Sequence, residues 1–220
     1  PGSPSRRGVA YAELLRGILG GELEAGSTLR QYVLADELSI TSLGATDVAT
    51  NVNSLTIDVR AAADVAVAQD VRKLLLQQVS VGDGSFAATG KGVIDVVDVT
   101  LKTNKTGNDI TITAEKDLLV RHASAGIHLG ASEALPTIGG TQVTSVSSAG
   151  NITLVSTTGA ITEGYSDTAV DVVANRLTMR AATGITGLEI AVNEIDAVTS
   201  AGNIELVDVD GNHEQFAGLK

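Results

Sequence analysis

One short phrase recurs along this chain and constrains its fold more than any other feature. Gly150-Asn151-Ile152-Thr153-Leu154 and Gly202-Asn203-Ile204-Glu205-Leu206 are variants of it, and Gly107-Asn108-Asp109-Ile110-Thr111-Ile112 is a third. The first two follow near-identical stretches, Val146-Ser147-Ser148-Ala149 and Val198-Thr199-Ser200-Ala201, and stand 52 residues apart. A second phrase, Ala174-Asn175-Arg176-Leu177-Thr178-Met179, falls between them, with an earlier version at Val52-Asn53-Ser54-Leu55-Thr56-Ile57. Two phrases per 52 residues give a unit of about 26, and the earlier part of the chain fits nearer 20. Periods in this range mark solenoids and arrays.

A unit of that length accommodates two or three short strands with bends between them. It is too short for an immunoglobulin-like sandwich, which needs about 100 residues. Within each phrase apolar and polar residues alternate, the period of a half-buried strand. Past residue 30 only Val71 to Gln78 is ambiguous between helix and strand, so the crossover helices of a doubly wound sheet are missing. One unit cannot bury its apolar face alone, but stacked units close a continuous core. Gly takes the positive-φ bend before each strand, and stacked Asn amides can hydrogen-bond from one turn to the next. The expected fold is therefore all-β, a parallel β-helix over residues 30–210. Its interior should be lined by Leu55, Ile57, Ile110, Ile112, Ile152, Leu154, Leu177, Met179, Ile204 and Leu206.

Composition agrees. Aromatics are only 2% of the chain, so the core has to be built from Val, Ile, Leu and Ala, which suit thin stacked layers. The absence of Cys excludes disulfides and thiolate metal sites. The net charge of −11 is uneven, about −3 over residues 1–121 and −8 over 122–220. Nucleic acid needs the opposite sign, an anionic membrane surface would repel the chain, and no apolar run is long enough to insert.

Residues 1–8 read as a flexible leader, with Pro1-Gly2-Ser3 as the scar of a cleaved tag. Residues 9–29 read as a short helix and connector. Val9, Leu14, Leu15, Ile18 and Leu19 follow a helical pattern that Gly20-Gly21 would stop, placing a cap or a linker at 9–19. Residues 82–92, 103–109 and 130–142 are the loop candidates, and 211–220 a C-terminal tail.

The stretches AGNITLVSTTGAIT at 149–162, ANRLTMRAATGI at 174–185 and LEIAVNEIDAVTSAGNIELV at 188–207 resemble the repeat region of filamentous-haemagglutinin-type bacterial exoproteins. The likeness covers about 140–210 well and 50–130 loosely. It implies a right-handed parallel β-helix in a giant protein on the bacterial cell surface or outside the cell. It also implies contacts with other segments of that protein and with a host-cell, matrix or glycan receptor. The secretion signature such families carry near their start is not present here.

Little in the chain points to chemistry. His122, His128 and His213 are the only histidines, and His122 and His128 stand six apart around a Gly, so neither helical nor alternate-strand spacing by itself brings them together. Asp208, Asp210 and Asn212 offer oxygens in one tight loop, as a hard cation requires. However, Gly211 follows only two acids, so a polar turn is the simpler reading and a weak calcium site the alternative. Asp95 with Asp98, or Glu194 with Asp196, could form the paired carboxylates of a glycoside hydrolase, yet acids are plentiful enough for such pairs to arise by chance. The expected function is a structural stalk or adhesive segment, a monomeric fragment without catalytic activity. A carbohydrate-binding or polysaccharide-degrading β-helix is the alternative.

Overall fold

The computed structural model describes residues 28–30, 36–70, 73–126, 137–138, 141–142 and 148–209. The helix expected at 9–19 and the tail at 211–220 lie outside them. The described residues form strands, turns and bends with no helix, and the chain coils into a parallel β-solenoid of about seven turns.

Three ladders of parallel strands run along the solenoid. The first stacks Thr28–Arg30, Thr46–Thr50, Val65–Gln69, Phe86–Gly90, Ile110–Ala114 and Asn151–Ser156, then 176–181 and 194–199. The second includes Ile94–Val96, Leu118–Val120 and Ile161–Glu163, and reaches Ile204–Asp208 through 185–190. The third includes Val99–Leu101 and Ala123–Ala125, continuing through 172–174 to 190–192. In the early coils one strand serves both the second and third ladders, as in Ser54–Ala62 and Leu74–Asp83. The stretch Val71 to Gln78, ambiguous in sequence, thus enters a strand at Leu74.

Alternation decides what faces inward. Asn151–Ser156 places Ile152 and Leu154 in the core and leaves Thr153 part-exposed on the outer side. Eight of the ten residues expected inside are fully buried, and Ile204 and Leu206 pack against the core half-buried on the last described coil. Like side chains stack on like, as in Ile110 on Ile152 on Leu177 and Ile112 on Leu154 on Met179. Phe86 is the one aromatic in this core among the described residues. Each large aliphatic side chain buried there stabilises the fold by about 1.5–3 kcal/mol.

The regular unit inferred from the 52-residue spacing does not hold. Register partners Val48, Val67, Ala88, Ile112, Leu154, Met179 and Ala197 stand 19, 21, 24, 42, 25 and 18 residues apart. The longest step carries an insertion that includes the antiparallel pair Thr137–Ile138 and Thr141–Gln142. The two similar phrases also occupy different ladders: Ile152 lies in the first, whereas Ile204 pairs with Ile185 in the second. The phrase specifies entry into a strand, which every corner of the coil needs, and not a position in the turn. Residues 82–92 are not a loop, since they contain the strand Phe86–Gly90; residues 103–109 carry no strand.

Short polar side chains tie one corner from coil to coil. The Ser85 amide donates to Asp64 Oδ1 (2.8 Å), the Asp109 amide to Ser85 Oγ (3.2 Å) and the Asn151 amide to Asp109 Oδ1 (2.8 Å). The expected asparagine stack then appears, with Asn175 Nδ2 donating to Asn151 Oδ1 (3.5 Å) and Asn193 Nδ2 to Asn175 Oδ1 (3.2 Å). Gly150 enters this corner where no side chain fits, because a Cβ would run into the carbonyl oxygen of Asn108. Gly150→Ala should cost about 1–3 kcal/mol by forcing backbone apart, read as a lower denaturant midpoint with an unchanged m-value.

Candidate functional site

Among the described residues, those singled out from sequence do not assemble into one site. Asp208 ends the strand Ile204–Asp208 opposite Ile190, while Asp210 and Asn212 lie outside the described residues, as do His128 and His213. His122 is fully buried, its Nδ1 3.2 Å from the carbonyl of Val170. Asp95 is only 2% exposed and is shared by Lys73 (2.9 Å) and Arg121 (3.2 Å), whereas Asp98 accepts from the Thr100 hydroxyl (2.9 Å). Glu194 and Asp196 are likewise drawn to cations, Glu194 to Arg176 at 3.6 Å and Asp196 to Arg180 at 2.5 Å. The hydrogen bond from Arg180 holds the Asp196 carboxyl below its usual range.

An acidic cluster that sequence reasoning missed lies at the corner between the second and third ladders. Glu163 ends Ile161–Glu163, Asp171 immediately precedes Val172, and Glu189 lies within Ile185–Thr199. One carboxylate oxygen from each lies within 4.8 Å of the others. The coil brings Asp171 beside Glu189, since their neighbours Val172 and Ile190 are register partners. The Asp171 amide donates to the Glu189 carbonyl (2.8 Å), and the Glu189 amide donates to Asp171 Oδ2 (3.0 Å). Glu163 arrives from the far side of the 164–170 loop and accepts the Asp167 amide on Oε1 (2.8 Å). Gly187, at φ +82°, gives Glu163 room: a Cβ there would sit 3.2 Å from that of Glu163. Val170 anchors the loop by packing against Val173 and Ala191.

Burial dominates the electrostatics of this cluster. Asp171 is 3% exposed, and desolvation, reinforced by the adjoining Glu189 and Glu163 carboxyls, pushes its pKa up to about 8. Desolvation also raises Glu189, helped by the charges of Glu163 and Asp167. At neutral pH the cluster therefore retains a proton. Three carboxylates at this spacing could hold a hard divalent cation, but the cation would have to displace that proton. Millimolar calcium against chelator at pH 7 should accordingly move the melting temperature little. A large upward shift would show an ion contributing folding energy by mass action.

A second feature follows the end of the first ladder. A groove of ≈ 560 Å³ runs across the coils over Ala49, Ala68, Thr89 and Thr113. Its rim carries Asp70, Lys91 and Glu115, with Lys91 Nζ 2.5 Å from Asp70 Oδ1. Both the groove and the acidic cluster bring together residues from separate coils, and both depend on coil lengths that vary along the chain.

Comparison of this chain with protein-family models, with curated proteins and with solved structures gave no match.

Proposed function

We propose that this chain is a structural and adhesive segment of a large bacterial surface protein and does not catalyse a reaction. The continuity of the coil carries this reading. The side-chain core and the corner ladder pass from coil to coil along the described solenoid. Such an architecture extends by adding coils, and its stability grows with nearest-neighbour contacts. About seven turns at roughly 4.8 Å each make a body of some 34 Å along the axis, and segments in series would form a rod. The acids argue in the same direction. Asp95, Glu194 and Asp196 are engaged by Lys or Arg, and the protonated corner cluster is held by backbone amides beneath an anchored loop. The resemblance in the 140–210 region accords with this reading.

Beads coated with the protein, applied to host-cell monolayers and matrix films, test the adhesive part. A panel of acidic and neutral polysaccharides tests the absence of catalysis. Saturable attachment without turnover is expected. Reproducible turnover that disappears in Asp95→Asn or Asp171→Asn would replace the structural assignment with an enzymatic one.

A further inference from the structure

We propose that residues 164–170 form a flap on the side of the solenoid that stays shut in acid and opens as the pH rises. Its switch is the contact between the residues at its two ends, Glu163 and Asp171.

The first argument is the flap's place in the chain. Between Val96 and Val99, and again between Val120 and Ala123, the link from the second ladder to the third is two residues long. Between Glu163 and Val172 it is eight residues long. Both ladders continue across this longer link, so the extra chain stands outside the coil. Residues 165–168 are exposed and belong to no strand. At the near end the Gly164 amide donates to the Val120 carbonyl (2.6 Å) and the Asp167 amide to Glu163 Oε1 (2.8 Å). At the far end Val170 packs on Val173 and Ala191, and its carbonyl lies 3.2 Å from His122 Nδ1. Swinging 165–170 outward about Gly164 breaks the Val170 contacts and leaves every ladder in place.

The second argument is that one set of charges touches both ends of the flap. Glu163 precedes it, Asp171 follows it, and Glu189 of the next coil meets both, with one oxygen of each within 4.8 Å of the others. A proton shared among them permits this approach. Without it, like charges crowd a corner where Asp171 is 3% exposed. Opening admits water to Asp171 and lets the carboxylates turn apart, so ionisation and opening favour each other.

The surroundings reinforce the effect. Asp167 on the flap adds negative charge, as do Asp98 and Asp208 on the coils to either side. Arg121 passes beneath Gly164 but directs its guanidinium to Asp95 (3.2 Å). The Val170 carbonyl accepts, so His122 donates through Nδ1 in both charge states of its ring, and its titration does not release the flap. With Asp171 at about 8 when shut and near 3.8 when hydrated, each pH unit between these values favours opening by up to about tenfold.

The test uses the absence of cysteine from the chain. Val170→Cys places a thiol at the flap's buried anchor, and Val67→Cys places one in the core of the first ladder. Labelling by iodoacetamide is followed from pH 5 to 8.5 with chelator present, each rate divided by that of the same variant unfolded in urea. Protection of Val170→Cys is expected to fall at least tenfold over this range, while that of Val67→Cys holds. Adding Asp171→Asn to Val170→Cys should preserve protection at pH 8.5. In the parent, amide protection factors at Ala169 and Val67 should diverge in the same way, free of any effect of the new thiols. Unchanged protection at the flap, an equal fall at both positions, or a fall undiminished by Asp171→Asn would each overturn the proposal.

Discussion

Ile152→Asp is expected to unfold the protein or abolish its soluble expression, whereas Thr153→Asp, one residue away, should fold nearly as the parent does. Ile152 stacks between Ile110 on one side and Leu177 on the other, with 0% of its surface accessible to water. A carboxylate there loses its hydration and gains no donor, since the amides on both sides are committed to the ladder. An unpaired buried charge costs several kcal/mol, a large share of the roughly 5–15 kcal/mol by which domains are stable. Thr153 points away from the core, and its coil partners Thr111 and Thr178 carry no charge. An added carboxylate there remains hydrated, and surface changes of this kind usually stay within about 0.5 kcal/mol. Urea titrations of the two variants decide the matter. If Thr153→Asp were the more damaging, the inward register of the repeat would be wrong.

The fold was legible because alternation and phrase recurrence are local signals. The phrase at 150–154 contains its own strand period and its own bend, so its structure needs no knowledge of what stacks on it. Coil length was not legible in the same way. The 52-residue spacing of the Gly-Asn phrases suggests two turns, yet Ile152 and Ile204 occupy different ladders. A phrase that starts a strand is reusable at any corner, so its spacing counts corners and not turns. The asparagine ladder shows the limit of the same reasoning. Asn151 and Asn175 stack as their phrases suggest. Asn108, from an equivalent phrase, instead donates to Asp83 Oδ1 (2.9 Å) and Thr103 O (3.4 Å) beside the 103–109 connection.

The candidate sites were hidden for a related reason. Asp171 and Glu189 are 18 residues apart, which is also the local step from Met179 to Ala197. With that step known, the two acids fall side by side. Without it they are two among 26 acidic residues. Asp95 illustrates the converse. Its spacing from Asp98 suggests a carboxylate pair, but Lys73 and Arg121 reach it from the coils on either side. Chemistry in a solenoid is set by neighbours one coil away, at distances along the chain that alternation does not reveal.

The acidic corner should make the protein less stable as pH rises from about 4 to about 8, and Asp171→Asn should remove much of that loss. The folded-state pKa of Asp171, about 8, lies above the ordinary 3.8. Between these values the native protein holds a proton that the unfolded chain has released. Stability is then full below the unfolded value, declines through the window, and levels off above the folded value. The loss is on the order of a few kcal/mol, because Asp171 titrates together with Glu189. The side-chain amide introduced by Asp171→Asn keeps an oxygen for the Glu189 N–H and presents its own N–H where the protonated carboxyl presents O–H. The variant should therefore match the parent near pH 4 and melt roughly 5–10 °C higher near pH 9, with chelator present throughout. Asp58, Asp83 and Asp196, held low by hydrogen bonds and nearby cations, act in the opposite sense, but only as pH falls below the ordinary carboxylate range. They cancel in the difference between parent and variant. Melting curves that run parallel for the two proteins from pH 4 to 9 would mean that the carboxyls at this corner are hydrated and ionise independently.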